Sequence, residues 1–181
     1  MKKSSVSYKN YVFSAMFAAL ILMGTMFIQI PFFKGYVHIG DSLIYLAATF
    51  LPMPFSILAA SVGAALADIL GSGGSFIIYA PFTFVIKGIM AICFSCKKEK
   101  ILSLRNITAL LIAGLINITC YAVAEFIILS IGEETVKAAF VASLTTIWGN
   151  LIQSVAASAI FVIVGLALDR MNFKQTIDKI S

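Results

Sequence analysis

Long apolar runs fill almost the whole chain between about residue 10 and residue 168, and only short polar, proline-containing or glycine-containing segments interrupt them. Apolar residues make up 61% of the sequence and charged residues only 12%, compared with about 45–50% and about 25% in an ordinary soluble domain. A water-soluble protein needs a polar exterior, which this composition does not provide. We therefore expect an all-α integral membrane protein whose outer surface contacts lipid.

The length of 181 residues allows roughly five to seven membrane crossings of about 20 residues each and leaves no room for a soluble domain. The interrupting segments divide this single membrane domain into helices. Pro31 ends the first helix, because proline lacks the amide hydrogen and restricts the residue before it. A loop through Lys34, Gly35 and His38 follows. Six transmembrane helices are predicted, at about residues 11–30, 39–51, 55–70, 80–94, 106–131 and 144–168.

The distribution of basic residues predicts the orientation of these helices. Lysine and arginine number 13 in all, and ten of them lie at the chain ends or between the fourth and fifth predicted helices. Only Lys34 and Lys137 lie in the opposite loops, and Lys87 lies inside a helix. By the positive-inside rule both termini are cytoplasmic. The net charge of +5 thus reflects topology, and no nucleic-acid partner is expected.

Polar side chains within the predicted helices gather toward the non-cytoplasmic face. An ionisable residue at bilayer depth costs about 2.5–3.5 kcal/mol on insertion scales, so each one needs a partner or a function. The half of the predicted bundle nearer the termini has almost no comparable groups. We interpret this asymmetry as an outward-opening pocket for a small planar ligand. Its predicted substrate-binding residues are His38, Asp41, Asp68, Tyr79, Lys87, Glu125, Trp148 and Asn150.

Structural explanations compete with ligand binding at several of these positions. Asp68 and Lys87 lie on adjacent predicted helices and could form an ion pair that only stabilises the bundle. His38 could be a solvated loop residue, and Trp148 could belong to an interfacial belt of aromatic residues. Asn117 fits an interhelical hydrogen bond better than a ligand contact.

No catalytic or metal-binding pattern emerges from the sequence. Cys93, Cys96 and Cys120 fall in apolar segments and lack the further ligands that a metal site needs, so no metal and no cofactor are expected. There is no phosphate-binding loop, which excludes an ATPase. Two alternative functions remain open. One is a small membrane enzyme that uses Asp68, Glu125 and His38 as acid–base groups; the other is an autonomous secondary transporter, for which no inverted repeat is visible.

Small residues in the first predicted helix form two adjacent stripes, Ala15-x-x-x-Ala19 and Ser14-x-x-x-Ala18. Such stripes let helices approach closely. They are compatible with packing inside the bundle and also with docking of another membrane protein.

Several segments together resemble a known transporter family. They are the Ala15-x-x-x-Ala19 stripe, residues 37–46 (VHIGDSLIYL), the ALAD sequence at 65–68 and residues 79–88 (YAPFTFVIKG). With six short helices in about 180 residues, the chain resembles the substrate-binding S components of energy-coupling factor (ECF) vitamin transporters. The segments beginning at His38 and Tyr79 resemble the hydroxymethylpyrimidine and pyridoxine type of S component.

This resemblance implies a function and a set of partners. The protein would bind a vitamin or vitamin precursor with high affinity from outside a bacterial cytoplasmic membrane. It would then associate through Ala15 and Ala19 with a transmembrane coupling protein driven by two cytoplasmic ATPases, and topple in the membrane to release its cargo. The lack of a nucleotide-binding motif fits ATP hydrolysis on the partner subunits.

Overall fold

Seven α-helices and one β-hairpin make up the described part of the chain, which comprises residues 8–32, 35–132 and 135–180 of a computed structural model. Two short 3-10 turns, Ser72–Gly74 and Ile77–Tyr79, connect the third and fourth helices. The elements are α1 (Tyr8–Met26), β1 (Gln29–Phe32), β2 (Gly35–His38), α2 (Gly40–Phe50), α3 (Met53–Leu70), α4 (Ala80–Ile92), α5 (Leu104–Ile131), α6 (Val136–Arg170) and α7 (Phe173–Ile180).

Each of the six predicted helical segments overlaps one of the helices α1 to α6, and the bounds of α2 to α5 differ from the prediction by at most two residues. Four helices, α1, α3, α5 and α6, are long and apolar enough to cross a membrane. The helices α2 and α4 have 11 and 13 residues, fewer than the roughly 20 that a straight crossing needs. The regular secondary structure of the described residues is helical apart from the hairpin, and the number of crossings stays a prediction.

The prediction that the first helix reaches residue 30 and is followed by a loop is wrong. The helix α1 ends at Met26, and β1 and β2 form an antiparallel hairpin in which Gln29 pairs with His38. Pro31 forces the residue before it out of the helical region, so the chain is already extended in β1. The side chain of Gln29 donates to the carbonyl of Met26 at 3.0 Å and caps the helix end. Lys34 lies outside the described residues.

The C-terminal part of the chain also contains more helix than predicted. The helix α6 begins at Val136 rather than near residue 144, and the Thr135 hydroxyl caps it by accepting from the amide of Ala138. The predicted polar tail contains α7. Lys174 of this helix is buried and donates to the carbonyls of Cys96 and Lys98 at 2.6 and 2.5 Å. This contact fixes α7 against the segment between α4 and α5.

The two adjacent small-residue stripes of α1 differ in burial. Ser14 is buried and donates to the carbonyl of Phe55 in α3 at 2.9 Å. A methyl group added to Gly63 of α3 would lie 2.6 Å from the carbonyl oxygen of Ala18. The stripe that contains Ser14 and Ala18 therefore packs against α3 at close range.

Ala15 and Ala19, by contrast, are exposed on the surface of the bundle. No element of the described chain covers these two side chains.

A turn of glycines reverses the chain between α3 and α4. Gly73 and Gly74 have φ angles of 64° and 82°, a left-handed conformation that other residues rarely adopt. The reversal places the last turn of α3 beside the first turn of α4. Side chains near these two helix ends, including Asp68 and Tyr79, therefore lie at the same end of the bundle.

An aromatic cluster fills the bundle at the other end, where α4 ends. The Tyr45 ring stacks on the Phe94 ring with a centroid distance of 4.8 Å, and Phe161 meets both rings edge-on. All three side chains are buried. Beyond them, Asn106 is fully buried and bonds to the backbone of Ser95 and Ile101. This end of the bundle is packed closed.

Candidate binding cavity

A cavity of about 690 Å³ lies at the end of the bundle where α3 ends and where α4 and α6 begin. This is the end away from Tyr8 and α7. Side chains or backbone from β2, from α3 to α6 and from the turn before α4 form its walls. The lining residues are Val37, His38, Asp68, Phe76, Tyr79, Lys87, Asn117, Tyr121, Glu125, Leu144, Thr145, Thr146, Trp148, Gly149, Asn150 and Gln153.

The structure brings most of the predicted site residues together in this one cavity. Seven of the eight line it, and the exception is Asp41. Asp41 is fully buried in the first turn of α2. It lies behind the cavity wall and contacts two of the residues that form that wall. Its position suggests that it supports the site rather than touching a ligand.

Lys87 is the charged centre of the cavity wall, and its partner differs from the expected one. Its Nζ lies 2.8 Å from Oδ1 of Asp41, so the suggested ion pair with Asp68 is wrong. Lys87 lies one helical turn after Thr83 on α4, and its side chain extends to Asp41 of α2. Asp68 interacts instead with the hydroxyl of Thr83. A buried lysine needs a close counter-charge, and Asp41 supplies it.

A second contact ties Lys87 to α5 and α6. Its Nζ donates to Oδ1 of Asn117 at 2.8 Å, and the Asn117 amide donates to the Ser154 hydroxyl at 3.3 Å. Asn117 is fully buried. The predicted interhelical hydrogen bond of Asn117 is therefore present, although this residue also lines the cavity. The ammonium group additionally lies 5.0 Å from the centroid of the Tyr121 ring, a favourable cation–π distance.

Gln153 of α6 joins the hairpin to the same network. Its Oε1 accepts from the amide of His38 at 2.9 Å, and its Nε2 donates to the carbonyl of His38 at 3.0 Å and to Oδ2 of Asp41 at 3.1 Å. The Gln153 side chain thus satisfies both the backbone amide and the backbone carbonyl of His38, the last residue of β2. The hairpin is held over α6 through polar contacts at the edge of the cavity.

His38 is not a solvated loop residue, as one interpretation of the sequence suggested. It ends β2, lines the cavity, and accepts a hydrogen bond at Nδ1 from the amide of Gly40 at 3.1 Å. Burial lowers the pKa of His38 to about 4, and Lys87 also lowers it, while Asp41 acts in the opposite direction. The imidazole is therefore neutral near pH 7, and its Nδ1 acceptor role requires the proton to be on Nε2.

Tyr79 and Glu125 meet across the cavity mouth. The Tyr79 hydroxyl donates a hydrogen bond to Oε2 of Glu125. Burial raises the pKa of the Tyr79 hydroxyl, and the neighbouring Glu125 carboxylate raises it further. Glu125 is only 9% exposed, so it does not extend into bulk solvent. This hydrogen bond joins α5 to the turn before α4 in the cavity wall.

Trp148 and Asn150 occupy the rim that α6 contributes. Trp148 lines the cavity yet remains 65% exposed, so it can contact a ligand with one part of its surface and lipid with another. The Asn150 amide donates to the carbonyl of Thr146 one turn earlier at 3.1 Å, which leaves its amide oxygen available for a ligand.

Two prominent wall residues, Tyr121 and Gln153, are not among the binding residues predicted from the sequence. Helical periodicity could have found both. Tyr121 lies between Asn117 and Glu125 at four-residue spacing, which places all three on one face of α5. Gln153 follows Asn150 by three residues on α6. The missing information was which face of each helix turns toward the cavity.

Among the described residues, no group of three or more His, Cys, Asp or Glu side chains is arranged to hold a metal ion. The three cysteines, Cys93, Cys96 and Cys120, are free thiols and partly exposed.

A family model and a solved structure match this chain. The family model described as "ECF-type riboflavin transporter, S component" matches residues 5–170. A solved structure described as "Structure and mechanism of the S component of a bacterial ECF transporter" aligns with a TM-score of 0.66 at 21% sequence identity. The alignment covers 90% of this chain and 96% of that one, and it shows a shared fold. A search of curated protein sequences found no significant match.

Proposed function

Because the chain belongs to the family of S components of ECF-type riboflavin transporters, we propose that its cavity binds riboflavin or a closely related flavin for uptake. Members of this family are the membrane-embedded, substrate-binding subunits of vitamin transporters and work with an ECF energy-coupling module. The finer assignment to a flavin rests on the family description together with the size and lining of the cavity.

The observation that carries this proposal is a single cavity with an aromatic rim and a buried polar wall. A volume of about 690 Å³ lies within the range of about 300–1,000 Å³ typical for ligands of drug size. A flavin has three fused rings and a polyhydroxylated chain, which suit such a space better than one six-membered ring. Its flat face fits against Trp148 or Tyr79, and its polar edge and hydroxyl groups fit Lys87, Asn117 and Asn150.

Hydroxymethylpyrimidine or pyridoxine is the second candidate ligand. The segments beginning at His38 and Tyr79, which resemble S components of that type, both contribute to the cavity. A single-ring ligand would use the same polar wall but would leave part of the cavity to water.

We propose that the cavity opens to the outside of a bacterial cytoplasmic membrane. It lies at the end of the bundle opposite α7, while the basic residues of the segment between α4 and α5 lie at the α7 end. Positive charge near membrane helices favours the cytoplasmic side. The packed aromatic cluster at that side supports a binding site that is closed toward the cytoplasm.

The proposed energy-coupling partners are a transmembrane coupling protein and two cytoplasmic ATPase subunits, which would dock through α1. The exposed stripe of Ala15 and Ala19 supports this surface, since Ser14 and Ala18 already serve the internal contact with α3. The two alternative functions lose support. The family is a transporter-component family rather than an enzyme family, and its members depend on an energy-coupling module rather than acting as autonomous transporters.

Equilibrium binding to the purified protein tests the function. We expect riboflavin to bind tightly and its fluorescence to change on binding. Hydroxymethylpyrimidine, pyridoxine and pantothenate are measured in parallel by calorimetry. Substitution of lipid-facing Leu111, which is 73% exposed, by alanine serves as the control and should leave affinity unchanged. If none of these compounds binds more tightly than about 10 µM, or about −7 kcal/mol, the proposal is wrong.

A further inference from the structure

Asp68 has an unused carboxylate oxygen at the cavity wall. Its side chain is 8% exposed and lines the cavity, and its Oδ2 is buried without a hydrogen-bond partner among the described residues. Buried polar atoms in proteins are nearly always satisfied, and those that are not require an explanation. At membrane depth the cost of such an atom is especially high. A ligand in the cavity would supply the missing partner.

The protein side chains nearest to Asp68 are already engaged. The Thr83 hydroxyl, which interacts with the Asp68 carboxylate, is also hydrogen-bonded to the Tyr121 hydroxyl at 2.8 Å. Lys87, the nearby cation, is committed to Asp41 and Asn117. These contacts hold the Thr83 hydroxyl and the Lys87 ammonium group in place, and Oδ2 has no hydrogen-bond partner among the described residues, so it is available as an acceptor.

Lys87 provides the complementary group beside this acceptor. Thr83 and Lys87 are four residues apart on α4, so they lie on the same helix face with their Cβ atoms about 5–6 Å apart. An ammonium group has three N–H donors, and two of those of Lys87 are used by Asp41 and Asn117. The cavity wall thus carries a hydrogen-bond acceptor at Asp68 and a remaining donor at Lys87.

We propose that Asp68 is a specificity-determining residue whose Oδ2 accepts a hydrogen bond from a ring N–H or amino group of the ligand. Lys87 donates to the adjacent acceptor of the same ring edge. This inference rests on the proposed function. The matching ligand chemistry is a planar ring edge with an N–H next to a carbonyl or ring nitrogen. The imide edge of a flavin and the aminopyrimidine edge of hydroxymethylpyrimidine both have it, whereas pyridoxine has no such N–H.

Methylated ligands test the proposal on the unmodified protein. We expect riboflavin to bind at least tenfold more tightly than 3-methylriboflavin, in which a methyl group replaces the imide hydrogen. For the pyrimidine source, the corresponding comparison is hydroxymethylpyrimidine against its dimethylamino analogue. If only the unmethylated flavin is preferred over its methylated form, the site accepts a flavin. If only the unmethylated pyrimidine is preferred, the site accepts a pyrimidine. Equal binding of methylated and unmethylated forms in both pairs would overturn the assignment of Asp68.

The Asp68→Asn variant tests the same contact from the protein side. It keeps the side-chain shape but removes the charge. We expect the affinity for the preferred ligand to fall at least tenfold and the preference over its methylated form to shrink to less than threefold. Glu99→Gln, a charge-removing change at an exposed position, should alter neither quantity. If Asp68→Asn binds within threefold of wild type with the preference intact, Asp68 does not contact the ligand.

Failure of this inference differs from failure of the proposed function. If the wild-type protein binds riboflavin or hydroxymethylpyrimidine with the same affinity as the methylated form, only the proposed role of Asp68 is contradicted. Wild-type protein that binds neither contradicts the function as well. The methylation comparison needs no variant, so it remains decisive even if Asp68→Asn does not fold.

Discussion

The Nζ atom of Lys87 in α4 lies 2.8 Å from Oδ1 of Asp41 in α2, and both side chains are almost completely buried. Asp41 also accepts from Gln153 of α6, while Lys87 donates to Asn117 of α5. The ion pair and its hydrogen bonds therefore connect four helices at the cavity wall. The position of Lys87 in this wall depends on Asp41, which does not line the cavity.

Replacement of Lys87 by methionine should strongly destabilise the protein. It leaves the Asp41 carboxylate buried without its counter-charge, for which we expect a loss of about 3–5 kcal/mol in the free energy of unfolding. Thermal unfolding in detergent micelles measures the loss. The double variant Lys87→Met with Asp41→Asn removes both charges and should recover most of the stability. A single variant as stable as wild type would contradict the structural importance of the pair.

Gln153→Leu should release the hairpin from α6. The change removes both hydrogen bonds to the backbone of His38, each contributing about 1 kcal/mol. Hydrogen exchange at the described amides of β1 and β2 should therefore accelerate about tenfold or more. Ser158→Ala is the matched control on the same helix, since Ser158 donates only to the carbonyl of Ser154 within α6. Equal exchange in the Gln153→Leu and wild-type proteins would show that other contacts hold the hairpin.

The stability of the protein should depend on pH through His38, the only histidine in the chain. Its pKa is lowered from 6.5 to about 4 in the folded state, so between these values the unfolded chain binds the proton more readily. Stability should consequently decrease as the pH falls from about 6.5 toward 4, by about 1–3 kcal/mol from this group.

The measurement compares thermal unfolding of wild type and His38→Gln across this pH range. The stability difference between them should change with pH below about 6.5 and stay constant from pH 7 to 8. A difference that is constant throughout would show that the folded protein binds a proton at His38 as readily as the unfolded chain does.

Gly63→Ala should separate α1 from α3. The added methyl group would lie 2.6 Å from the backbone oxygen of Ala18, so the helices must shift, at a cost of about 1–3 kcal/mol. Gly149→Ala is the matched helical control, since nothing lies within 4 Å of the added atom. There the higher helix propensity of alanine should leave stability unchanged or raise it by up to about 1 kcal/mol. Similar unfolding temperatures for the two variants would contradict the close helix contact.

Tryptophan at Ala15 or Ala19 should block docking without affecting ligand binding. Both positions are exposed on the side of α1 away from α3, so a large side chain is tolerated by the bundle but not by a closely packed partner helix. Co-purification with the energy-coupling module measures docking, and ligand titration measures the site. Leu111→Trp, at a lipid-facing position on α5, should leave both intact. Normal co-purification of both alanine variants would place the docking surface elsewhere.

Several features of the fold could be predicted from the chain alone. Its near-continuous apolar runs cannot be placed in water, and Pro31, the Pro52–Pro54 segment and the glycine turn interrupt helices wherever they occur. The bounds of α2 to α5 followed from these local signals. The β-hairpin did not, because its strands are stabilised by pairing with each other and by Gln153, which is 115 residues from His38.

The composition and residue order by themselves determined a lipid-facing helical bundle and the clustering of costly polar groups toward one end, since burial in hydrocarbon depends only on which side chains a helix carries. Only the tertiary structure decided the partners. Height along a helix made Asp68 and Lys87 a plausible pair, but the rotation and packing of α2 and α4 bring Lys87 to Asp41 and leave Asp68 with an open oxygen at the cavity. Electrostatic pairing acts over a few ångströms, and distances of that size are set by how helices pack rather than by where residues stand in the chain.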